Sequence, residues 1–378
     1  MASDGRGPAA QRSDEQPIAH RPGEQRAARL SELAAGTHVL ALVGLAKNTG
    51  KTETLAAILR EHAASETTVG VTSIGRDGEE HDVIDARIDK PRVQLQRGSL
   101  VATTGALLRS SGVAHERLVQ TGVRTPLGEV VLARLEEPGT VEVAGPSAAS
   151  DLRAVGEAML ELGAEQVLLD GAIDRRAASS PEVADGLVMA TGAILSEDIE
   201  AVVNATRDAV DLVRLPLAAA AGSATDDDTG EPTTAGSAAA GRLSLERRLV
   251  LNADPAQIAS LLREHARADT FVVGGALSER FLEGLLAARS ERAGRELRIV
   301  AGDPTKVFLS RRGPRWYARQ GVSIEVRQTI NLKAITVNPV APQSHRFDSR
   351  MLRELIGSAV ADVPVLDVLG ESYLALAK

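Results

Sequence analysis

The run Val39 to Leu55, VLALVGLAKNTGKTETL, constrains the chain more than any other stretch. Val39 to Val43 is uninterrupted apolar sequence and reads as a buried strand. It stops at Gly44, passes through a polar loop and closes on Gly50-Lys51-Thr52, and Glu53 onward has helical composition. A strand that feeds such a loop and then a helix aims backbone N–H groups and a positive helix end at one point. At Gly50 no Cβ keeps those groups from an oxyanion. Lys51 supplies a cation for β- and γ-phosphates, and the Thr52 hydroxyl suits Mg²⁺. Gly44, Lys47, Asn48, Thr49, Gly50, Lys51 and Thr52 are therefore the expected phosphate contacts.

Two carboxylates further along fit the same chemistry. Thr67 to Ile74 reads as the second strand and runs into Gly75-Arg76-Asp77-Gly78. Ligands of open α/β sheets lie beyond the carboxyl ends of the strands, so Asp77 is expected to face Mg²⁺ or a substrate. Gln166 to Leu169 is apolar and ends in Asp170-Gly171. Asp170 is expected to hold Mg²⁺ through water, and the Gly171 N–H to approach the γ-phosphate. Lys51, Asp77 and Asp170 are the catalytic candidates, and Thr52, Asp77 and Asp170 the metal candidates. Glu79, Glu80, His81, Asp82 and Asp85 are a weaker metal cluster, because consecutive residues cannot all face one ion. Asn338, at the end of a late strand, is the candidate reader of the base, with a turn-forming Asn-Pro as the competing role. Thr305-Lys306 is a weaker alternative reader. ATP is the expected nucleotide, with GTP left open.

Composition removes other classes. The net charge of −8 argues against general nucleic-acid binding. Seven Phe, Tyr and Trp residues in all are too few for a base-stacking surface. With no cysteine, disulfides, thiolate metal sites and a cysteine nucleophile are excluded. No apolar run approaches the roughly 20 residues of a membrane helix, and the amino terminus lacks a secretory apolar segment. A cytoplasmic protein is the expectation.

Strands alternate with amphipathic helices along most of the chain, which predicts a three-layer α/β fold with a mainly parallel sheet. Residues 1–30 read as a disordered tail and 31–217 as the nucleotide-binding region. Residues 218–243 read as a flexible Ala/Gly/Ser/Thr insertion, and 244–378 as a further α/β region, favoured as completing the same sheet. Gly128 to Leu135 and Gly139 to Ala144 read as strands joined by a hairpin turn at Glu136 to Gly139. Ser147 or Ser150 is expected to cap a helix over Ala149 to Leu162. Arg248 to Asn252 reads as a short strand. VLLDGAIDRR from Val167 and FVVGGALSER from Phe271 align without a gap, with Gly274 where the first has Asp170.

The loop has five residues between Gly44 and Gly50, with Leu45 at the strict first-glycine position. The usual phosphate loop has about four. The longer spacing resembles dethiobiotin synthetase and its relatives, and Lys47-Asn48 resembles the loop of the molybdopterin-guanine dinucleotide protein B family. Gly44–Thr52, Thr72–Gly78 and Asp170-Gly171 together resemble phosphate-loop nucleoside-triphosphatases of the dethiobiotin synthetase and MinD-like class. GLAKNTGKT, TSIGRDGE, EVAGPS, DGAIDRR and INLKAITVNP are similar, over most of residues 37 to 370, to the small subunit of the lysine 5,6-aminomutase reactivase. That resemblance implies an ATP-driven accessory protein with a MutS-like ATPase partner. Its client would be an aminomutase that uses adenosylcobalamin and pyridoxal phosphate, from which damaged cobalamin is exchanged. The tail and the insertion depart from that pattern and weaken any inference about partner surfaces. An ATP-dependent small-molecule ligase or kinase, and a nucleotide-sensing module with little catalysis, are the alternatives. Homodimerisation stays open.

Overall fold

The computed structural model describes residues 29–74, 92–172, 176–219, 241–245, 250, 254–289, 295–342, 344–370 and 373. In chain order the first half runs α1 (Leu30–Leu33), β1 (Val39–Gly44), α2 (Lys51–Ala64), β2 (Val69–Ser73), β3 (Arg92–Leu95) and β4 (Leu100–Thr104). It continues through α3 (Gly105–Ser111), β5 (His115–Thr125), β6 (Gly128–Leu135), β7 (Gly139–Glu142), α4 (Ala149–Glu161), β8 (Gln166–Ala172) and β9 (Gly186–Gly192). The second half runs α5 (Ile199–Val213), β10 (Arg242–Leu245), α6 (Pro255–Glu264), β11 (Thr270–Val273), β12 (Leu277–Ser278) and α7 (Glu279–Arg289). It ends with β13 (Leu297–Ala301), β14 (Val307–Phe308), α8 (Pro314–Arg319), β15 (Val322–Val326), β16 (Leu332–Asn338), α9 (Ser349–Val360) and β17 (Val365–Leu366).

The protein is mixed α/β, built on a nine-stranded sheet in the order β17-β16-β9-β1-β8-β2-β4-β6-β5. Pairing is parallel from β17 to β4 and antiparallel only at β4–β6 and β6–β5. Side chains alternate between the faces of a strand, and both faces of β1 are buried. Leu40 and Leu42 pack with Leu55, Ile58 and Leu59 of α2. Val39 turns the other way, toward Leu152, Val155 and Met159 of α4. Ala41 and Val43 turn toward Val202 and Val210 of α5 and Leu352 and Ile356 of α9. Helices thus cover both faces, which is why β1 reads as continuous rather than alternating apolar sequence. Among the described residues no helix is long and apolar enough to cross a membrane.

The final third divides between two sheets. β16 and β17 extend the main sheet beyond β9. β10, β11, β13 and β15 form a separate parallel sheet in that order, with its own core around Phe271, Phe281, Ile299 and Tyr317. Arg242 and Leu243, read from sequence as part of the insertion, open β10; of the separate strand read over Arg248 to Asn252 only Val250 is described, and it is helical. The two segments of the internal echo end strands of different sheets, β8 and β11.

Two local expectations are corrected. Strands β6 and β7 do not form a hairpin. β6 pairs with β5 and β4, and β7 pairs with β3. The Glu136–Gly139 turn hands the chain from one sheet to another, tied by Glu136 N–H to the Ala114 carbonyl at 2.9 Å. The partner that displaced β7 is β5, which the sequence reading passed over. Its HERLVQTGVRT is mostly polar and lies on the sheet edge, so no buried face betrays it. Helix α4 follows Ala148, which offers no side-chain cap, so neither Ser147 nor Ser150 caps it; its first turn instead carries the acidic Asp151, which suits the positive helix end.

A buried carboxylate secures the chain before β1. Glu61 of α2 is 2% exposed and accepts from the Leu30 and Ser31 amides at 3.4 and 2.7 Å and from the Tyr373 hydroxyl. Burial, and then the neighbouring Glu61, push the Tyr373 phenol well above its usual range. Tyr373→Phe is expected to cost about 1–3 kcal/mol, because Glu61 loses a donor it cannot replace with water. Tyrosine's stabilisation is complete below its unfolded pKa of about 10 and fades as pH rises toward the folded value. Urea unfolding across that range should show an alkaline loss in the wild type that is smaller in the Phe variant, where only the likewise raised Tyr317 phenol remains.

Candidate functional site

The carboxyl ends of β1, β8, β2, β9 and β16 gather on one edge of the parallel sheet. Their connections define the site. From β1 the chain crosses over β8 to reach β2, and from β8 it crosses back over β1 to reach β9. Neighbouring strands whose connections leave in opposite directions open a crevice between them, the usual ligand position in such sheets. The β1/β8 pair is such a point, with Leu42 beside Asp170 and Val43 beside Gly171.

Across that crevice Lys51 Nζ pairs with Asp170 Oδ1. Lys51 opens α2, and its side chain is 24% exposed. Asp170 is 6% exposed, and its carbonyl accepts from the Ile74 amide at 3.1 Å, which holds the end of β2 against it. A carboxylate this buried needs a cation, and among the described residues Lys51 supplies it. Thr52 follows on the first turn with its side chain exposed. Gly171 is buried at the end of β8.

The loop between β1 and α2 is held from within and from below. A Cβ on Gly44 would lie 2.5 Å from Thr49 Oγ1, so the close approach of loop entry to loop exit requires glycine there. Thr49 is buried, and its hydroxyl donates to the Ala46 carbonyl at 2.9 Å. The Thr49 side chain is therefore a strut within the loop. Asn48 and Gly50 take left-handed φ values of 66° and 90°. Asparagine and glycine are the residues that tolerate this conformation, and it turns successive backbone groups toward one side. The Leu45 amide donates to the Ala190 carbonyl of β9 at 2.9 Å, and Lys47 is exposed.

Asn338, at the end of β16, sits beneath the loop. Its Nδ2 donates to the Asn48 carbonyl at 3.1 Å, and its Oδ1 accepts from the Val340 amide at 3.0 Å. Both ends of the amide offered as a base reader are engaged within the protein, one in the loop and one in the Asn-Pro turn. One strand away from the loop's own strand pair, Thr336 of β16 also bonds Thr54 of α2, hydroxyl to hydroxyl, at 2.7 Å. Sequence reasoning missed this second tie, because nothing in INLKAITVNP shows that the late strand returns beside α2. Asn338→Ala is expected to speed amide hydrogen exchange of residues 46–49 while leaving β1 protected.

The remaining candidates fall elsewhere. Asp77, with Glu79 to Asp85, lies outside the described residues, and among the described residues no cluster of His, Asp and Glu is arranged to hold a metal. Thr305 and Lys306 belong to the smaller sheet unit, beyond β13, where Asp303 accepts from the Thr305 amide at 2.7 Å. That turn lies against residues 176–179, which follow β8. Comparison with protein-family models, curated proteins and solved structures found no match.

Proposed function

We propose that this chain is a Mg²⁺-dependent ATP-binding and ATP-hydrolysing protein of the phosphate-loop class. The observation that carries the reading is the meeting of Lys51 and Asp170 across the β1/β8 crevice, with the left-handed Asn48–Gly50 turn beside it. In this reading the loop amides cradle the phosphates, and Lys51 leaves Asp170 to neutralise the charge that builds on the β/γ bridge. Thr52 and Asp170 would hold Mg²⁺, the threonine hydroxyl directly and Asp170 through water; the buried carboxylate and the exposed hydroxyl at the crevice mouth fit a hard cation. Hydrolysis breaks the γ-phosphorus–oxygen bond as water adds to phosphorus, and the two products are ADP and phosphate.

The wider motif set supports a finer reading, an accessory role in reactivating an adenosylcobalamin-dependent lysine 5,6-aminomutase beside a MutS-like ATPase. The nucleotide would then act by favouring one conformation over another, through its differential affinity for the two. Reconstitution tests both levels. ATP turnover by the purified chain is expected to require Mg²⁺ and to fall in Asp170→Asn. Recovery of inactivated aminomutase is expected to require this chain. Turnover unaffected by Asp170→Asn would remove the site, whereas full recovery without the chain would remove only the accessory role.

A further inference from the structure

A trough runs along α2 away from the phosphate loop. Its first part encloses about 420 Å³ between α2 and β3, lined by Thr52, Leu55, Leu59 and Arg60 from the helix and by Arg92 and Val93 from the strand. Its second part, about 280 Å³, continues past His62 and Val69 to Arg97 and Ser99. Leu59, Ala63, Gln94 and Gln96 line both parts, so the two adjoin. Leu55, Leu59, Val69 and Val93 are buried and form an apolar floor. From Thr52 to Ala63 the helix rises about 16 Å.

The rim is mostly positive. Arg60, Arg92 and Arg97 line the trough against a single carboxylate, Glu66. Arg92 lies 3.5 Å from Glu142. Arg60 and Arg97 have no ion pair or hydrogen bond among the described residues. An apolar pocket of a few hundred Å³ with a few convergent polar groups is the usual form of a small-molecule site, and the first part, around Leu55, Leu59 and Val93, has that form, whereas the second is lined mainly by polar residues. Guanidinium groups at its edge select a carboxylate or similar anion.

We propose that this trough binds an elongated anion with an apolar body, of the medium-chain monocarboxylate class, with its head group on Arg60 and its chain over Leu55 and Leu59. The proposal does not rest on the phosphate-loop reading, although Thr52 borders both sites. Octanoate is the probe, titrated into the full chain in competition with the dye anilinonaphthalene sulfonate, with octanol as the neutral counterpart. Octanoate is expected to displace the dye from one saturable site and to bind more tightly than octanol. Arg60→Glu should weaken octanoate by about ten-fold or more. Ala63→Trp, at an exposed position where the two parts join, should abolish binding while the fold is retained. MgATP binding should be unchanged in both variants, and Lys51→Ala should still bind octanoate. Absence of a saturable site, or octanoate binding unchanged by Ala63→Trp, would overturn the site. Equal affinity for octanol, or indifference to Arg60→Glu, would overturn the anion.

Discussion

Lys51→Ala is expected to weaken MgATP binding by about 100-fold or more, close to 2.7 kcal/mol, as befits the loss of a charged donor to a phosphate. Titration calorimetry of both proteins reads this directly. The same substitution leaves Asp170, 6% exposed, without its cation. The stability cost is about 1–3 kcal/mol, reduced from the fully buried case because Lys51 is partly in water. These two effects separate in a double variant. Lys51→Ala with Asp170→Asn removes the stranded charge, so it should recover stability in urea without recovering nucleotide binding. If the pair were only a structural ion bridge, stability would change and MgATP affinity would not.

Glu279→Ala is expected to destabilise the smaller sheet unit by about 2–4 kcal/mol. Glu279 opens α7, is 8% exposed and serves as the hub of the loop before α8. Its carboxylate accepts from the amides of Ser310, Arg311 and Arg312 at 2.9, 3.0 and 3.0 Å, from the Ser310 hydroxyl at 2.6 Å and from the Tyr317 hydroxyl at 3.1 Å. Burial alone would raise its pKa, but the Ser310 hydroxyl and the three amides outweigh burial and hold it below the usual carboxylate range. A lowered folded-state pKa gives stability that is complete above the unfolded value of about 4.3 and fades as pH falls through the folded value. The chain's single tryptophan, Trp316, packs edge-on against Tyr317 with ring centroids 5.1 Å apart. Its fluorescence therefore reports this unit's unfolding in urea. The variant should unfold at lower urea at neutral pH and should lose the acid-side slope of the wild type. Identical midpoints at neutral pH would show that the carboxylate contributes nothing net.

What sequence could and could not say follows from how each element is buried. β1, the loop and α2 were legible because local rules act together there: an unbroken apolar run, glycine at the turn and a helix face at regular spacing. β8 ending in Asp170-Gly171 was legible for the same reason. β5 was not, since an edge strand buries little and needs no periodic apolar residues. The pairing of β3 with β7 was not, because partner choice between short strands depends on contacts distant in sequence. The division of the last third was hidden too: β15 and β16 are adjacent in the chain and alike in composition, yet they join different sheets. Within the site, residue types were legible but their duties were not. Thr49 and Asn338, candidates for touching nucleotide, engage their side-chain groups within the protein, Thr49 in the loop and Asn338 in both the loop and the Asn-Pro turn. Glu279, a single acidic residue at the start of a helix, gave no sequence sign of the four donors besides Tyr317 that converge on it.

The central claim is that the β1/β8 crevice holds a Mg²⁺-bound triphosphate, and amide hydrogen exchange of the full chain with and without MgATP tests it most directly. The expected result is new protection over residues 44–53 and at 170–171, dependent on Mg²⁺ and absent in Lys51→Ala. A folded chain that shows MgATP protection elsewhere, or none at saturating nucleotide, would contradict it.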